Sequence, residues 1–125
     1  MRFDVGIPLI ARNVKIIGPN GSLNVDMVVD TGAALTTICW ADLKAIGYDP
    51  AVVPERREII TANGVIEVPK LVVDSIGVGD AAAKDVEVIC HDIPELVGIR
   101  GLLGLSFLKH FRTVIDYKAG YLELS

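Results

Sequence analysis

Short apolar stretches, separated by polar and glycine-rich turns, run through most of the chain. They are rich in Val and Ile, which fit the half-buried surface of a pleated sheet. The predicted strands are residues 3–9, 14–17, 23–29, 35–39, 58–60, 65–68, 71–76 and 86–90. The turn signals between them include Gly18-Pro19-Asn20-Gly21, Ala62-Asn63-Gly64 and Gly77-Val78-Gly79-Asp80. The pattern predicts an all-β chain built from hairpins.

Two segments depart from the strand pattern. Residues 40–46, closed by Gly47, and residues 103–111 place apolar side chains at helical spacing and predict short helices. The last segment, residues 113–125, predicts a hairpin that turns at Lys118-Ala119-Gly120. The chain has 125 residues, no repeat of fixed period and no linker, so a single domain spanning residues 1–125 is expected.

The composition is apolar for a soluble chain. Hydrophobic residues make up 51% of it and the mean hydropathy is +0.48. No apolar run approaches the roughly 18 to 20 residues that a spanning helix needs, so we expect no membrane segment. The excess predicts buried strands and a buried subunit interface. Because the first residues lack the pattern of a secretory signal, a cytoplasmic protein is expected.

The charged residues and the cysteines exclude two kinds of site. The net charge is −4 and Lys and Arg are scattered, so no basic stripe is available for a nucleic-acid partner. Cys39, Cys90, His91 and His110 do not have the spacing of a zinc site. We therefore expect no metal site, and we interpret both cysteines as buried apolar residues.

The residues with chemical potential are concentrated in Val28-Val29-Asp30-Thr31-Gly32-Ala33. A carboxylate directly after a buried strand costs free energy unless the fold provides hydrogen bonds to it. Thr31 can supply a hydroxyl. Gly32 has no side chain to block the approach of backbone N–H groups.

Asp30-Thr31-Gly32-Ala33 resembles the active-site loop of retropepsin-like aspartic proteases. In that family an apolar-apolar-Gly motif follows later in the chain, and Leu102-Leu103-Gly104 is similar to it. Between the two motifs, residues 59–68 resemble the flap hairpin of the family. The resemblance covers nearly the whole chain, in the same order.

The resemblance implies a closed acid-protease barrel with one or two short helices, forming half of a two-fold homodimer. It implies an aspartic endopeptidase that acts on peptide or protein substrates and needs no cofactor. Its catalytic residue would be Asp30, supported in the active-site loop by Thr31, Gly32 and Ala33, with Leu102, Leu103 and Gly104 as the second structural motif. Substrate would lie against a flap of Thr61, Ala62, Asn63 and Gly64 and against a loop of Ile93, Pro94, Glu95 and Leu96.

One pair of positions departs from the family. Retroviral members commonly place an acid directly after the catalytic loop and an Arg directly after the Gly of the second motif, where the two charges pair. This chain has Ala34 and Leu105 at those positions. Both charges are absent together, which a folded core tolerates better than the loss of one partner.

Several alternatives stay open at this point. A non-proteolytic peptide-binding or dimerisation module on the same fold would share all of these residues. An actin-like phosphate-binding hairpin would need large α/β domains, which the pattern does not predict. Asp26 shares a strand face with Asp30, so a pair of carboxylates within one chain is conceivable. Finally, we expect the C-terminal strand, with Tyr121, Leu122 and Leu124, to present an edge to a second copy.

Overall fold

The computed structural model describes residues 2–4, 8–93 and 98–125. Strands dominate these ranges, with two short α-helices and one turn of 3-10 helix. The elements in chain order are β1 (Arg2–Asp4), β2 (Ile10–Gly18), β3 (Gly21–Val29), β4 (Thr36–Ile38), α1 (Trp40–Ala45), the 3-10 turn (Pro50–Val52), β5 (Arg56–Thr61), β6 (Gly64–Val78), β7 (Ala81–Cys90), β8 (Ile99–Leu103), α2 (Leu105–Leu108), β9 (Thr113–Asp116) and β10 (Tyr121–Leu124).

Six strands close into a barrel. Their order is β2-β3-β8-β4-β7-β6, and β6 pairs back with β2 to complete the ring. The β3–β8 and β4–β7 pairs are parallel, whereas the other pairs are antiparallel. β5 lies outside the ring as the partner of the first part of β6. The predicted all-β closed barrel with short helices is confirmed.

Alternating apolar side chains fill the barrel. In β2 the buried Val14 and Ile16 alternate with the exposed Lys15 and Ile17, as expected when one face of a strand meets the core. Met27 of β3 and Phe107 of α2 are fully buried in the same cluster. The short helix α2 therefore packs its apolar residues against the barrel instead of presenting them to solvent.

Two predicted boundaries were wrong in the C-terminal half. Residues 99–103 form strand β8, and helix α2 covers only Leu105–Leu108 of the predicted helix 103–111. The apolar run of Leu102 and Leu103 is too short for its pattern to separate a strand from a helix. Gly104, with an extended backbone at φ −101° and ψ −169°, marks the boundary between them.

The N-terminal half differs from the prediction at two places. Of the predicted strand 3–9, Arg2–Asp4 form β1 and Pro8 and Leu9 lie in a turn, while residues 5–7 are outside the described ranges. The predicted strands 65–68 and 71–76 are one strand, β6, because the chain continues extended through Pro69. Pro69 pairs with Arg56 in the ladder that joins β5 to β6.

The chain ends in a three-stranded sheet with the order β1-β10-β9. The predicted terminal hairpin is confirmed, and the Asp116 carboxylate accepts the Ala119 N–H at 2.9 Å within its turn. The expected open edge of the C-terminal strand was wrong. β10 is the middle strand, since β1 pairs with Tyr121–Glu123 on one side and β9 lies on the other.

Candidate active site

Asp30 is the first residue after β3 and is held through its backbone. β3 and β8 are parallel, so their carboxyl ends meet at the same end of the barrel, and the Asp30 N–H donates to the Leu103 carbonyl oxygen at 3.0 Å. The side chain of Asp30 is half-buried. The barrel therefore fixes the main chain of this residue and leaves its carboxylate within reach of solvent.

The loop after Asp30 turns back onto the carboxylate. The Gly32 N–H donates to Asp30 Oδ1 at 2.9 Å, and the Ala33 N–H donates to the Asp30 carbonyl oxygen at 3.2 Å. A Cβ atom on Gly32 would lie 3.2 Å from Asp30 Oδ1, which is closer than such contacts normally come. The predicted role of Gly32 agrees with this geometry. Thr31 is exposed, and within the described ranges no hydrogen bond reaches its hydroxyl.

The second motif lies directly beneath this loop. A Cβ atom on Gly104 would lie 2.6 Å from the Ala33 carbonyl oxygen and 2.9 Å from that of Leu35. Any larger residue there would push the catalytic loop away from β8. Leu103 is fully buried in the core, whereas Leu102 faces the cavity beside Asp30.

Backbone hydrogen bonds join the segment that contains Ala34 to the segment that contains Leu105, the two positions that depart from the family pattern. The Leu105 N–H donates to the Ala33 carbonyl oxygen at 2.8 Å, and the Ser106 N–H donates to the Ala34 carbonyl oxygen at 3.0 Å. These bonds attach the start of α2 to the catalytic loop without any side-chain charge. The departure at Ala34 and Leu105 therefore does not separate the two segments.

Two buried hydroxyls, which the sequence did not single out, complete the support of the loop. Ser106 Oγ accepts the Thr36 N–H at 2.8 Å, and Thr36 Oγ1 accepts the Gly104 N–H at 3.1 Å. The two hydroxyl oxygens are 3.1 Å apart and hydrogen-bonded to each other. Thr36 and Ser106 are 0% and 4% exposed. Thr36 and Ser106 are 70 residues apart in the sequence, and neither is part of a recognisable motif. Their hydrogen bond therefore becomes visible only in the folded structure.

A cavity of about 500 Å³ opens beside Asp30. Its walls come from the catalytic loop, from β5 and from the ends of β7 and β8. Ile93 of the predicted substrate loop lines it, whereas Pro94, Glu95 and Leu96 lie outside the described residues. The lining residues beyond the catalytic loop are Leu35, Thr37, Arg57, Glu58, Ile59, Ile60, Thr61, Ile89, His91, Ile93 and Leu102.

The hairpin that covers this cavity has a two-residue turn. Ala62 and Asn63 connect β5 to β6, and Gly64 has φ +115°, a backbone conformation that favours glycine. Thr61 Oγ1 accepts the Asn63 N–H at 3.2 Å and donates to the Gly64 carbonyl oxygen at 3.0 Å. Of the four predicted flap residues, Thr61 lines the cavity, and Ala62, Asn63 and Gly64 form the turn beyond it.

The other acid on the face of Asp30 is engaged elsewhere. Asp26 Oδ2 accepts a hydrogen bond from Arg12 Nη1 at 2.9 Å, and Asp26 Oδ1 accepts the Asn13 N–H at 3.0 Å. These bonds, the Asn13 N–H first, hold the pKa of Asp26 below its usual value. The alternative in which Asp26 and Asp30 form a dyad within one chain therefore loses its support.

The cysteines show no sign of activation. Both thiols are free; Cys90 is fully buried and Cys39 is half-buried. Burial raises the pKa of Cys90 to about 12 and also raises that of Cys39. Thiols of this kind are poor nucleophiles near neutral pH. Among the described residues, no three His, Cys, Asp or Glu side chains form a group that could hold a metal ion.

Comparison with known proteins agrees with this geometry. The model of the family described as gag-polyprotein putative aspartyl protease matches residues 17–110, a range that contains both the Asp30 loop and the second motif. This chain belongs to that family. Its family is thus one of aspartyl proteases, and its barrel has the retropepsin-like fold.

Two individual proteins resemble this retropepsin-like chain. A retropepsin-like aspartic protease from Rickettsia conorii has the same fold, with a TM-score of 0.71 over 98% of this chain and 95% of the other, at 22% identity. An uncharacterised protein encoded in the cobV 5' region of Sinorhizobium sp is 29% identical over 86 residues, which are 69% of this chain. That region is only 36% of the Sinorhizobium protein, so this chain spans about a third of its relative.

Within the ranges the structure describes, no helix is long and apolar enough to cross a membrane.

Proposed function

We propose that this chain is an aspartic endopeptidase in which Asp30 from each of two copies supplies one catalytic carboxylate. The observation that carries the proposal is the attachment of Asp30. Its N–H is bound to β8 and one carboxylate oxygen accepts the Gly32 N–H, yet the side chain stays half-buried beside an open cavity. A carboxylate that served only the fold would have both oxygens occupied and no cavity in front of it.

The proposed chemistry needs a second carboxylate. Two carboxylates about 3 Å apart cannot both ionise easily, so they share one proton, as the paired aspartates of aspartic proteases do. The ionised carboxylate accepts a proton from water as the water oxygen bonds to the peptide carbonyl carbon, and the protonated carboxylate gives its proton to the carbonyl oxygen, which forms a tetrahedral gem-diol. The gem-diol then collapses as the C–N bond breaks. The leaving amine nitrogen takes the proton gained from water, and the other carboxylate takes back a hydroxyl proton, which releases an acid and an amine and restores the dyad.

A homodimer supplies this second carboxylate. The chain contains one Asp-Thr-Gly sequence, and Asp26 is engaged with Arg12 and Asn13. A two-fold axis beside Asp30 would bring the same residue of a second copy opposite it. In this proposal Gly32 and Ala33 support the loop through their backbone N–H groups, and Leu102, Leu103 and Gly104 hold it from below. The predicted support from Thr31 is not proposed, because no hydrogen bond within the described ranges reaches its hydroxyl.

Substrate would lie between the catalytic loop and the β5–β6 hairpin. In this proposal the hairpin is the flap, with Thr61, Ala62, Asn63 and Gly64 at its tip, and Ile93 contacts the peptide from the opposite wall. Pro94, Glu95 and Leu96 of the predicted substrate loop lie outside the described residues. The apolar cavity lining favours apolar side chains next to the scissile bond.

The substitution Asp30→Asn tests the proposal. The amide has nearly the volume of the carboxylate but does not accept a proton from water, so we expect peptide hydrolysis to fall at least about a hundredfold. The measurement is cleavage of a peptide library by both proteins across a broad pH range. The matched control is Asp74→Asn, since Asp74 contacts the Tyr48 hydroxyl, away from the cavity.

Two results would contradict the proposal. Hydrolysis by Asp30→Asn near the wild-type rate would remove Asp30 from the reaction. Peptide binding without cleavage by the wild-type chain would favour a non-proteolytic binding module on the same fold.

A further inference from the structure

The cavity face of the β5–β6 hairpin carries an arginine. Side chains along β5 alternate between two faces, so Arg57, Ile59 and Thr61 share one of them. The cross-strand partner of Arg57 is Val68, which is only 4% exposed, and Arg57, Ile59 and Thr61 all line the cavity. The face of Arg57 is therefore the one that turns towards the barrel and the cavity.

A histidine lines the same cavity. β7 ends at Cys90, and His91 follows it, with its N–H donating to the Ile38 carbonyl oxygen at 3.1 Å. Arg57 of β5 and His91 both line the cavity that contains Asp30.

The positive charge of Arg57 is not neutralised within the described residues. The nearby acids have other partners: Glu55 and Glu87 both contact Lys70, and Asp92 accepts the Trp40 N–H. Glu58 also lines the cavity, but it forms no ion pair with Arg57, and its backbone partner in the ladder is Glu67. No ion pair is formed by Arg57 or His91 in the described ranges, so their donors are available to a ligand in the cavity.

We propose that Arg57 and His91 form a basic subsite that binds an acidic side chain of the substrate, Asp or Glu. The subsite lies next to the apolar residues Ile59, Ile89 and Ile93, so the preferred peptide combines an acidic residue with apolar residues nearer the scissile bond. A guanidinium binds a carboxylate through two parallel N–H donors, and the imidazole adds a third donor. This inference rests on the proposed function, because it names the substrate of the same cleft.

Pairs of peptides that differ only by Glu or Gln at one position test the subsite. The acidic residue is moved stepwise along a peptide with an apolar centre, and kcat/KM is measured for each pair. Binding of the same fluorescent peptides to the Asp30→Asn protein is measured by anisotropy, which does not require catalysis. We expect one position at which Glu is preferred over Gln by about five- to tenfold in both measurements.

Three variants identify the residues responsible for this preference. Arg57→Gln should reduce the Glu:Gln ratio to below about twofold, and His91→Gln should reduce it partly. Arg56→Gln is the matched control, since it removes the same charge one residue away, where the side chain instead donates to the Ala51 carbonyl oxygen. This control should keep the full preference.

The outcomes separate the subsite from the protease. A Glu preference in binding with no cleavage of any peptide would support the subsite and contradict the proposed function. Cleavage that depends on Asp30 but is indifferent to Glu or Gln at every position would overturn the subsite alone. Survival of the preference in Arg57→Gln, or no binding by any peptide, would also overturn it.

Discussion

Thr36 and Ser106 hold the loop that follows Asp30 through buried hydroxyl groups. Each hydroxyl oxygen accepts one backbone N–H, and the two hydroxyls are hydrogen-bonded to each other. Three buried hydrogen bonds therefore depend on this pair. A buried donor that loses its acceptor costs about 1–3 kcal/mol. This pair sets the position of Gly104 relative to the loop that carries Asp30.

Replacing Thr36 with valine tests this role. Thr36→Val keeps the side-chain shape but leaves the Gly104 N–H without an acceptor, so we expect the free energy of unfolding to fall by about 1–3 kcal/mol. Urea unfolding measures it. Thr36→Ser is the control, because it keeps the hydroxyl and should lose less. Equal stability of the valine variant and the wild type would show that this hydrogen bond is unimportant.

At the scale of elements, a bulge disturbs β2 where it faces Asp26. Arg12 and Asn13 together oppose Asp26, and Asn13 has φ +55°, a left-handed conformation that asparagine tolerates better than most residues. The Asp26 carboxylate binds both bulge residues. A second irregularity, in β8, falls beside Asp26, where the neighbouring Arg100 forms a two-point ion pair with Asp42 of α1.

The Asp26 bonds make part of the stability depend on pH. The folded pKa of Asp26 lies below the unfolded value of 3.8, so its contribution is complete well above pH 3.8 and is lost as the pH falls through the folded value. For this partly exposed group we expect Asp26→Asn to cost about 1 kcal/mol or less at pH 7. The difference in unfolding free energy between the two proteins should shrink as the pH falls below 3.8. A difference that stays constant from pH 7 to pH 3 would contradict this assignment.

Strand and turn chemistry predicted the antiparallel elements well. The Ala62-Asn63-Gly64 turn and the Lys118-Ala119-Gly120 turn each join neighbouring strands through local backbone preferences, and those preferences can be read from sequence. β8 escaped prediction because it is short, apolar and buried between β3 and β4, and its pairing with β3 is parallel and distant in sequence. The pairing of β10 with β1 was also missed. This pairing is antiparallel, but it joins residues that are more than a hundred positions apart in sequence.

The residues of the site also fall into two groups, those that the sequence predicted and those that only the folded structure brings together. Asp30, Gly32 and Gly104 were predicted because each is part of a contiguous motif whose backbone demands show in the residue type. Thr36, Ser106, Arg57 and His91 come together only when β4, α2, β5 and β7 are assembled, and no local pattern marks them.

At the scale of the whole molecule, the proposed dyad makes activity depend on concentration. When most chains are monomeric the dimer fraction is proportional to the total concentration, so the activity per chain should fall on dilution in the same proportion. Analytical ultracentrifugation over the same range should show dimers dissociating. A specific activity that stays constant while the protein becomes monomeric would contradict a shared site.

Mixing with Asp30→Asn chains provides the control for dilution. Mixed dimers would contain one carboxylate and one amide, so an excess of the variant should suppress wild-type activity, whereas an equal excess of an unrelated protein should not. Truncation before β10 is unsuitable for this purpose. That strand contributes the buried Leu122 and Leu124 to the core and joins β1 to β9, so its removal would damage the fold as well as any interface.

The residues that support the Asp30 loop are synthesised later than the loop itself. Thr36 and Ser106 are 70 residues apart, and β8 and α2 lie near the end of the chain. Contacts of such high sequence separation form late in folding. At roughly 5 to 20 residues per second of synthesis, the loop would wait about 4 to 14 seconds for its support to be made. A nascent chain therefore carries Asp30 for several seconds before Gly104 and Ser106, which support its loop, have been made.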